Sequence, residues 1–388
     1  MSVSNQQELT SRWRKVIKRR AFLHGIGGVA AAGAAMPVKT MFADSPKLSK
    51  GDAAILQFAA AAESIEADLW QQYNELGGAV TSTDSANPGN PAYVNALEQL
   101  DGDMPQYISD NTDDEISHRD FLNAYLKLHG ASPVDFTQFE TLQGTTAMGA
   151  TPHKGRLTNL MSLNVDSSWY FRYRSTTNPD FGAQFPQLID IDNQPAIPLH
   201  DGYSTNTIQA IANIASIHFA FIEQGGSSLY PILALKATDS EVLRILLSIG
   251  GVEIDHFSLW HDKMGNAFQP PVAPLDDNGT GGTGLNFLDL TVAANQHNAG
   301  LSATDKAAGS QMFQPNLILP EPCDFIMPFP ALPRCSVIRP TLSQNGGPIA
   351  TVKAFMADNL FLHQSQMFIE MLMDLASDAE AAQRQGPN

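Results

Sequence analysis

Two short stretches of this chain repeat one pattern, Glu115-Ile-Ser-His118 and Glu253-Ile-Asp-His256. In a helix, residues three apart stand about 60° apart on one face, so each Glu and its His can reach the same ion. With ten histidines in 388 residues, chance gives fewer than one Glu-x-x-His. Each pattern follows a second acidic helix: Phe58-Ala-Ala-Ala-Ala-Glu63-Ser-Ile-Glu66 comes before the first, and Ile217-His-Phe-Ala-Phe-Ile-Glu223 before the second. The order is therefore Glu, Glu-x-x-His, Glu, Glu-x-x-His. It predicts four helices whose carboxylate faces meet.

Most helical glutamates are solvated charges on amphipathic faces. Glu63 and Glu223 instead follow apolar runs, where a charge needs a partner. Four carboxylates gathered in a dry bundle repel one another, and two divalent cations would neutralise them with both histidines neutral. Oxygen-rich ligation with two imidazoles suits iron or manganese. Glu63 and Glu66 are three apart, so either could be the first-helix ligand. Only Glu63 is followed seven residues later by an aromatic, Trp70, as Glu223 is by Tyr230. Seven residues make two turns, so ring and carboxylate share a face.

This order and spacing resemble the ferritin-like di-iron and di-manganese carboxylate proteins, in which two helices give one Glu each and two give Glu-x-x-His. Within that family, Ala62-Glu63-Ser-Ile-Glu66-Ala-Asp-Leu-Trp70 and Gly251-Val-Glu253 are similar to exported ferritin-like domains related to plant desiccation proteins. The resemblance covers roughly residues 50 to 265, with insertions. It implies an all-α fold, a four-helix bundle with a long crossover between the second and third helices. It also implies two divalent ions, Fe or Mn, held by Glu63, Glu115, His118, Glu223, Glu253 and His256. The expected partner is a small molecule: dioxygen, peroxide or an oxidisable substrate. No further catalytic residue is assigned. The alternative is a non-catalytic stress or structural protein in which the metal stabilises the fold; both halves keep all three ligands, which leans toward chemistry.

Residues 1–44 read as a targeting segment. Lys15, Lys18, Arg19 and Arg20 make a basic start, and Lys18-Arg-Arg-Ala-Phe-Leu23 resembles the twin-arginine export motif. The run from Gly25 to Met36 is too short for a permanent membrane anchor. Export to a bacterial periplasm or the exterior is expected, and that route implies folding, with metal bound, before crossing. A net charge of −17 argues against nucleic acid and anionic membrane surfaces as partners.

The bundle is expected over residues 45–268. Its helices are predicted at Asp52 to Leu76, from Thr112 or Asp113 to Gly130, Thr205 to Leu235, and Ser240 to Met264 with an Asp239-Ser240 cap. Phe121 and Leu247 are counted among their apolar positions. A short helix is predicted at Tyr93 to Leu100. Asp114 is a candidate either for accepting from a ligand histidine or for capping. The crossover, Gly130 to Ser204, carries Ser168-Trp-Tyr-Phe-Arg-Tyr-Arg174, read as packing over the bundle or as lining a substrate channel. The pair Gly225-Gly226 in mid-helix suggests close approach or distortion. His218 is read as a core or surface residue, and His261 as lying beside the ligands or in solvent. Residues 269–388 form a Pro- and Gly-rich extension. Cys323 and Cys335 could pair there. A fifth long helix, Ile349 to Ala382, would pack on the bundle or against a second copy of the chain.

Overall fold

Helix ends are set by local chemistry. In the computed structural model, which describes residues 47–79, 89–170, 187–298 and 346–383 and the backbone of 320–321 and 335–336, the first helix α1 runs Lys50–Gly77. Ser49 caps it, accepting from the Asp52 amide at 3.0 Å. At its far end a Cβ on Gly77 would stand 2.5 Å from Leu97 Cδ1, so glycine lets the short helix α2, Pro91–Leu100, pack close. Helix α3 spans Met104–Leu128 and ends before Gly130, whose φ is +74°. Helix α4 is Thr205–Lys236, capped by Ser204, and α5 is Ser240–Gly265, where Asp239 accepts from the Glu241 and Val242 amides.

Helices α1 and α3 pack as one pair, and α4 and α5 as a second. The pairs bury their inner faces against each other in one continuous apolar core. The chain is an all-α bundle with a long crossover between α3 and α4. The runs of small residues matter here: Ala59 to Ala62 on α1 and Ala210, Ala212, Ala215 and Ala220 on α4 are all buried, so backbones approach closely around the site.

The crossover holds two short antiparallel ribbons, β1 (Leu142–Gln143) with β2 (Gly155–Arg156) and β3 (Leu163–Val165) with β4 (Ile191–Gln194). Asp68 on α1 fastens it: one carboxylate oxygen accepts from the Leu157 amide at 3.0 Å, the Thr158 amide at 2.8 Å and the Thr158 hydroxyl at 2.7 Å. Arg156 is buried in an ion pair with Glu75. Trp169 packs against Phe257 and His261 of α5, so this part of the aromatic stretch covers the bundle. Residues 171–174 lie outside the described residues.

Beyond α5 come a ribbon of β5 (Leu275–Asp276) and β6 (Asn286–Phe287), the short helix α6 (Ala293–Asn298), and a ribbon of β7 (Pro320–Glu321) and β8 (Cys335–Ser336). The chain then forms α7, Pro348–Ala357, and α8, Gln366–Ala381, which packs along α1. The targeting segment and Cys323 lie outside the described residues. No described helix is long and apolar enough to cross a membrane.

Three expectations are corrected, and one is narrowed. Helix α3 starts at Met104, two turns before Thr112, because Pro105 suits a first turn and the polar Asn111 and Thr112 are buried, not capping. The single fifth helix is two helices. Asn359 and His363 take positive φ between them, and the Asp358 and Leu360 carbonyls accept from the Asn164 and Asn159 amides of the crossover. Phe121 and Leu247 belong to their helices but face outward, 51% and 60% exposed. His261 is not in solvent: it is buried among Trp169, Tyr170 and Phe257.

Candidate metal centre

All six side chains of the repeated pattern meet at the middle of the bundle. Glu63 comes from α1, Glu115 and His118 from α3, Glu223 from α4, and Glu253 and His256 from α5. They form two overlapping sets: Glu63, Glu115, His118 and Glu253, and Glu115, Glu223, Glu253 and His256. Within each, one candidate ligand atom per residue lies within 4.8 Å of the others. Glu115 and Glu253 belong to both and so stand between two positions. His118 Nδ1 is 3.3 Å from Glu63 Oε2 and from Glu115 Oε2, and 3.6 Å from Glu253 Oε1. His256 Nδ1 is 3.0 Å from Glu115 Oε1 and 3.4 Å from Glu223 Oε2. Both imidazoles thus turn the same nitrogen inward.

Surrounding residues hold these groups in place. The Tyr230 hydroxyl donates to Glu63 Oε1, crossing from α4 to α1. Asn111 Nδ2 donates to Glu115 Oε1 at 2.9 Å and Glu223 Oε1 at 3.1 Å, while its Oδ1 accepts from the Trp260 indole at 2.7 Å. Trp260 stacks on Trp70, ring centroids 5.3 Å apart, and Phe219 packs on both. Asp114 Oδ2 lies 3.2 Å from His256 Nε2, in mid-helix, which makes it a histidine partner and rules out the cap. Gly226 explains the mid-helix glycine: a Cβ there would stand 2.1 Å from Glu253 Oε2. Gly250 does the same for Tyr230, whose Cβ would be 2.7 Å away. His218 is a core residue, its Nδ1 2.7 Å from the Tyr73 hydroxyl, and burial lowers it to about 3.

The electrostatics are those of crowded anions away from water. Burial, then the Glu115 charge, pushes Glu63 up to about 8. Burial and neighbouring carboxylates hold Glu253 well above the usual range. Glu115 goes the other way: burial opposes its charge, yet His118 and His256 beside it hold it down at about 2. Burial opposes charge on His118 as well, but Glu115 and Glu63 raise it to about 10. Several inward atoms have no hydrogen-bond partner among the described residues: Glu63 Oε2, Glu223 Oε2, both Glu253 oxygens and His256 Nδ1. Buried polar atoms are seldom left so. Their number, their hard donor chemistry and their convergence suit cations placed between them.

A family model for the ferritin-like domain matches residues 51–266, more than half the chain. The chain belongs to the ferritin-like family. No curated protein and no solved structure matches this ferritin-like protein. Sequence reasoning missed two of its site residues. Trp260 lies seven residues after Glu253, the same spacing that marked Trp70 and Tyr230, and Asn111 lies four before Glu115 on one face. Glu66, the alternative first-helix ligand, is buried as well.

Proposed function

We propose that this ferritin-like protein holds two divalent ions of iron or manganese and acts as an oxidoreductase on dioxygen, peroxide or a small oxidisable substrate. The observation that carries this reading is the convergence of six ligand side chains into two sets sharing Glu115 and Glu253. Glu115 and Glu253 would serve both ions, Glu63 and His118 would help hold one, and Glu223 and His256 the other. Bound there, the ions would supply redox equivalents and an open position for the oxidant. The protein's own part is placement and exclusion. Trp70, Phe219 and Trp260 form a water-excluding wall. Burial, then the Glu63 charge, keeps the Tyr230 hydroxyl protonated, so it donates at Glu63 Oε1. The histidine side lies nearest solvent, with His118 and His256 each 8% exposed and Asp114 half-exposed beyond. Small oxidants would enter there.

A second reading is favoured by the depth of the carboxylates, which are at most 1% exposed: an exported stress-related protein in which the metal only stabilises the fold. One experiment separates the two. Protein folded with iron and manganese supplied is analysed for metal, and wild type and Glu253→Ala are then compared for oxygen and peroxide consumption. Two ions per chain, with metal and turnover lost together in the variant, support the oxidoreductase. Metal without turnover supports the structural role. A wild-type protein almost free of both metals overturns the di-metal reading. Export by the twin-arginine route rests on Lys18-Arg-Arg-Ala-Phe-Leu23. Replacing Arg19 and Arg20 by Lys should retain the protein in the cytoplasm on cell fractionation, and unchanged export would sink this part.

A further inference from the structure

The two metal positions come from a duplicated pattern, and the duplication is broken at particular residues. Aligning Glu115 with Glu253 places Asp114 opposite Val252 and Asn111 opposite Ile249; aligning Glu63 with Glu223 places Glu66 opposite Gly226. Asp114 and Asn111 both act on the position closed by Glu223 and His256. Asp114 accepts from His256 Nε2 at 3.2 Å, which fixes the ring with Nδ1 inward and makes that nitrogen a better donor. The corresponding residue in the other half, Val252, has no acceptor to offer His118. Asn111 ties Glu115 to Glu223, and its orientation is locked by the Trp260 indole. Tyr230 gives Glu63 a comparable hydrogen bond, so carboxylate orientation alone leaves the positions balanced. Asp114 breaks the balance, because among the described residues only His256 of the two has a carboxylate on its outer nitrogen.

We propose, on the di-metal reading above, that the two positions bind unequally: the one closed by Glu223 and His256 fills first and holds its ion tightly, and the one closed by Glu63 and His118 fills second and exchanges. Asp114 is the positioning residue that sets this order. It touches no ion and acts through the His256 ring.

The test is titration of the chelator-stripped full chain with Mn(II), reading free Mn(II) by electron paramagnetic resonance. Wild type should bind in two resolved steps of one ion each. Asp114→Val, which copies the other half at a half-exposed position, should weaken the tighter step about 10- to 100-fold, as expected for loss of a histidine's outer partner, and leave the weaker step in place. Asp114→Asn, which retains an acceptor oxygen, should restore part of the difference. Val252→Asp makes the reverse change at a half-buried site and should tighten the weaker step, which keeps the idea testable if Asp114→Val fails to fold. Two ions bound with one shared affinity in wild type, or an Asp114→Val that weakens only the second step, overturns the inference while leaving the di-metal reading intact. Absence of any Mn(II) binding overturns both.

Discussion

At Gly226 the absence of a side chain decides whether the site can form. A methyl group there would meet Glu253 Oε2 at 2.1 Å and its carboxyl carbon at 3.0 Å. The tip of a glutamate can swing aside, so Gly226→Ala should fold, helped by alanine's helix preference of up to about 1 kcal/mol, yet bind metal poorly because the shared carboxylate is displaced. Thermal melts and a Mn(II) titration check both halves of that statement, and full metal binding would contradict it. His218 gives a test unrelated to metal. Its folded value, about 3, lies below the ordinary 6.5, so the unfolded chain binds the extra proton as pH falls below 6.5. Stability is therefore complete above that pH and lost on acidification at up to about 1.4 kcal/mol per unit. His218→Phe should flatten the part of the stability profile between pH 6.5 and 5 in urea unfolding, at the cost of the Tyr73 hydrogen bond. At this scale the sequence is legible wherever a residue's placement depends on its own helix: the spacing to Trp70 singles out Glu63, and Glu63 lies with Glu115, His118 and Glu253. Roles set by another helix were not legible. Nothing local to Tyr230 says that its hydroxyl reaches Glu63 instead of the Glu223 two turns before it.

The helices show the same division. Those with apolar periodicity and a capping residue, α1, α4 and α5, begin within two residues of the predicted Asp52, Thr205 and Ser240, behind the caps Ser49, Ser204 and Asp239. The start of α3 is hidden because its buried face carries Asn111 and Thr112, polar groups that look solvent-facing until their partners on the neighbouring helices are known. The break between α7 and α8 was hidden for a related reason: apolar periodicity continues through it, but the carbonyls it frees serve the crossover. That crossover depends on Asp68. Replacing it by alanine leaves the Leu157 and Thr158 amides buried without their acceptor, at about 1–3 kcal/mol for each. Asp68→Ala should therefore destabilise the protein by about 3 kcal/mol or more in urea. A loss under about 1 kcal/mol would mean the crossover is held by its apolar contacts alone.

For the whole molecule, the site is a cost that a bound metal would repay. Five carboxyl groups, Glu63, Glu66, Glu115, Glu223 and Glu253, are buried in one core with two histidines, and only Glu115 is held below its ordinary range. Folding without metal must therefore take up protons. Glu63 titrates at 4.5 when unperturbed and about 8 in the fold, so at pH 7 the fold binds a proton that the unfolded chain lacks. The cost is about 1.4 kcal/mol for each pH unit above 4.5, or about 3 kcal/mol. The sign follows: this stability is present below pH 4.5 and lost as pH rises toward 8. Glutamine copies the protonated carboxyl in shape and still accepts from Tyr230, but needs no proton. Glu63→Gln should thus raise the metal-free protein's stability at pH 7 by up to about 3 kcal/mol and flatten its decline between pH 5 and 8. With Mn(II) present the order should reverse, because wild type gains binding free energy that the variant, lacking one anionic ligand, largely forgoes. Melting temperatures of both proteins, with chelator and with Mn(II), make a four-way comparison. If wild type is the more stable in both conditions, the carboxyls are held by something other than metal.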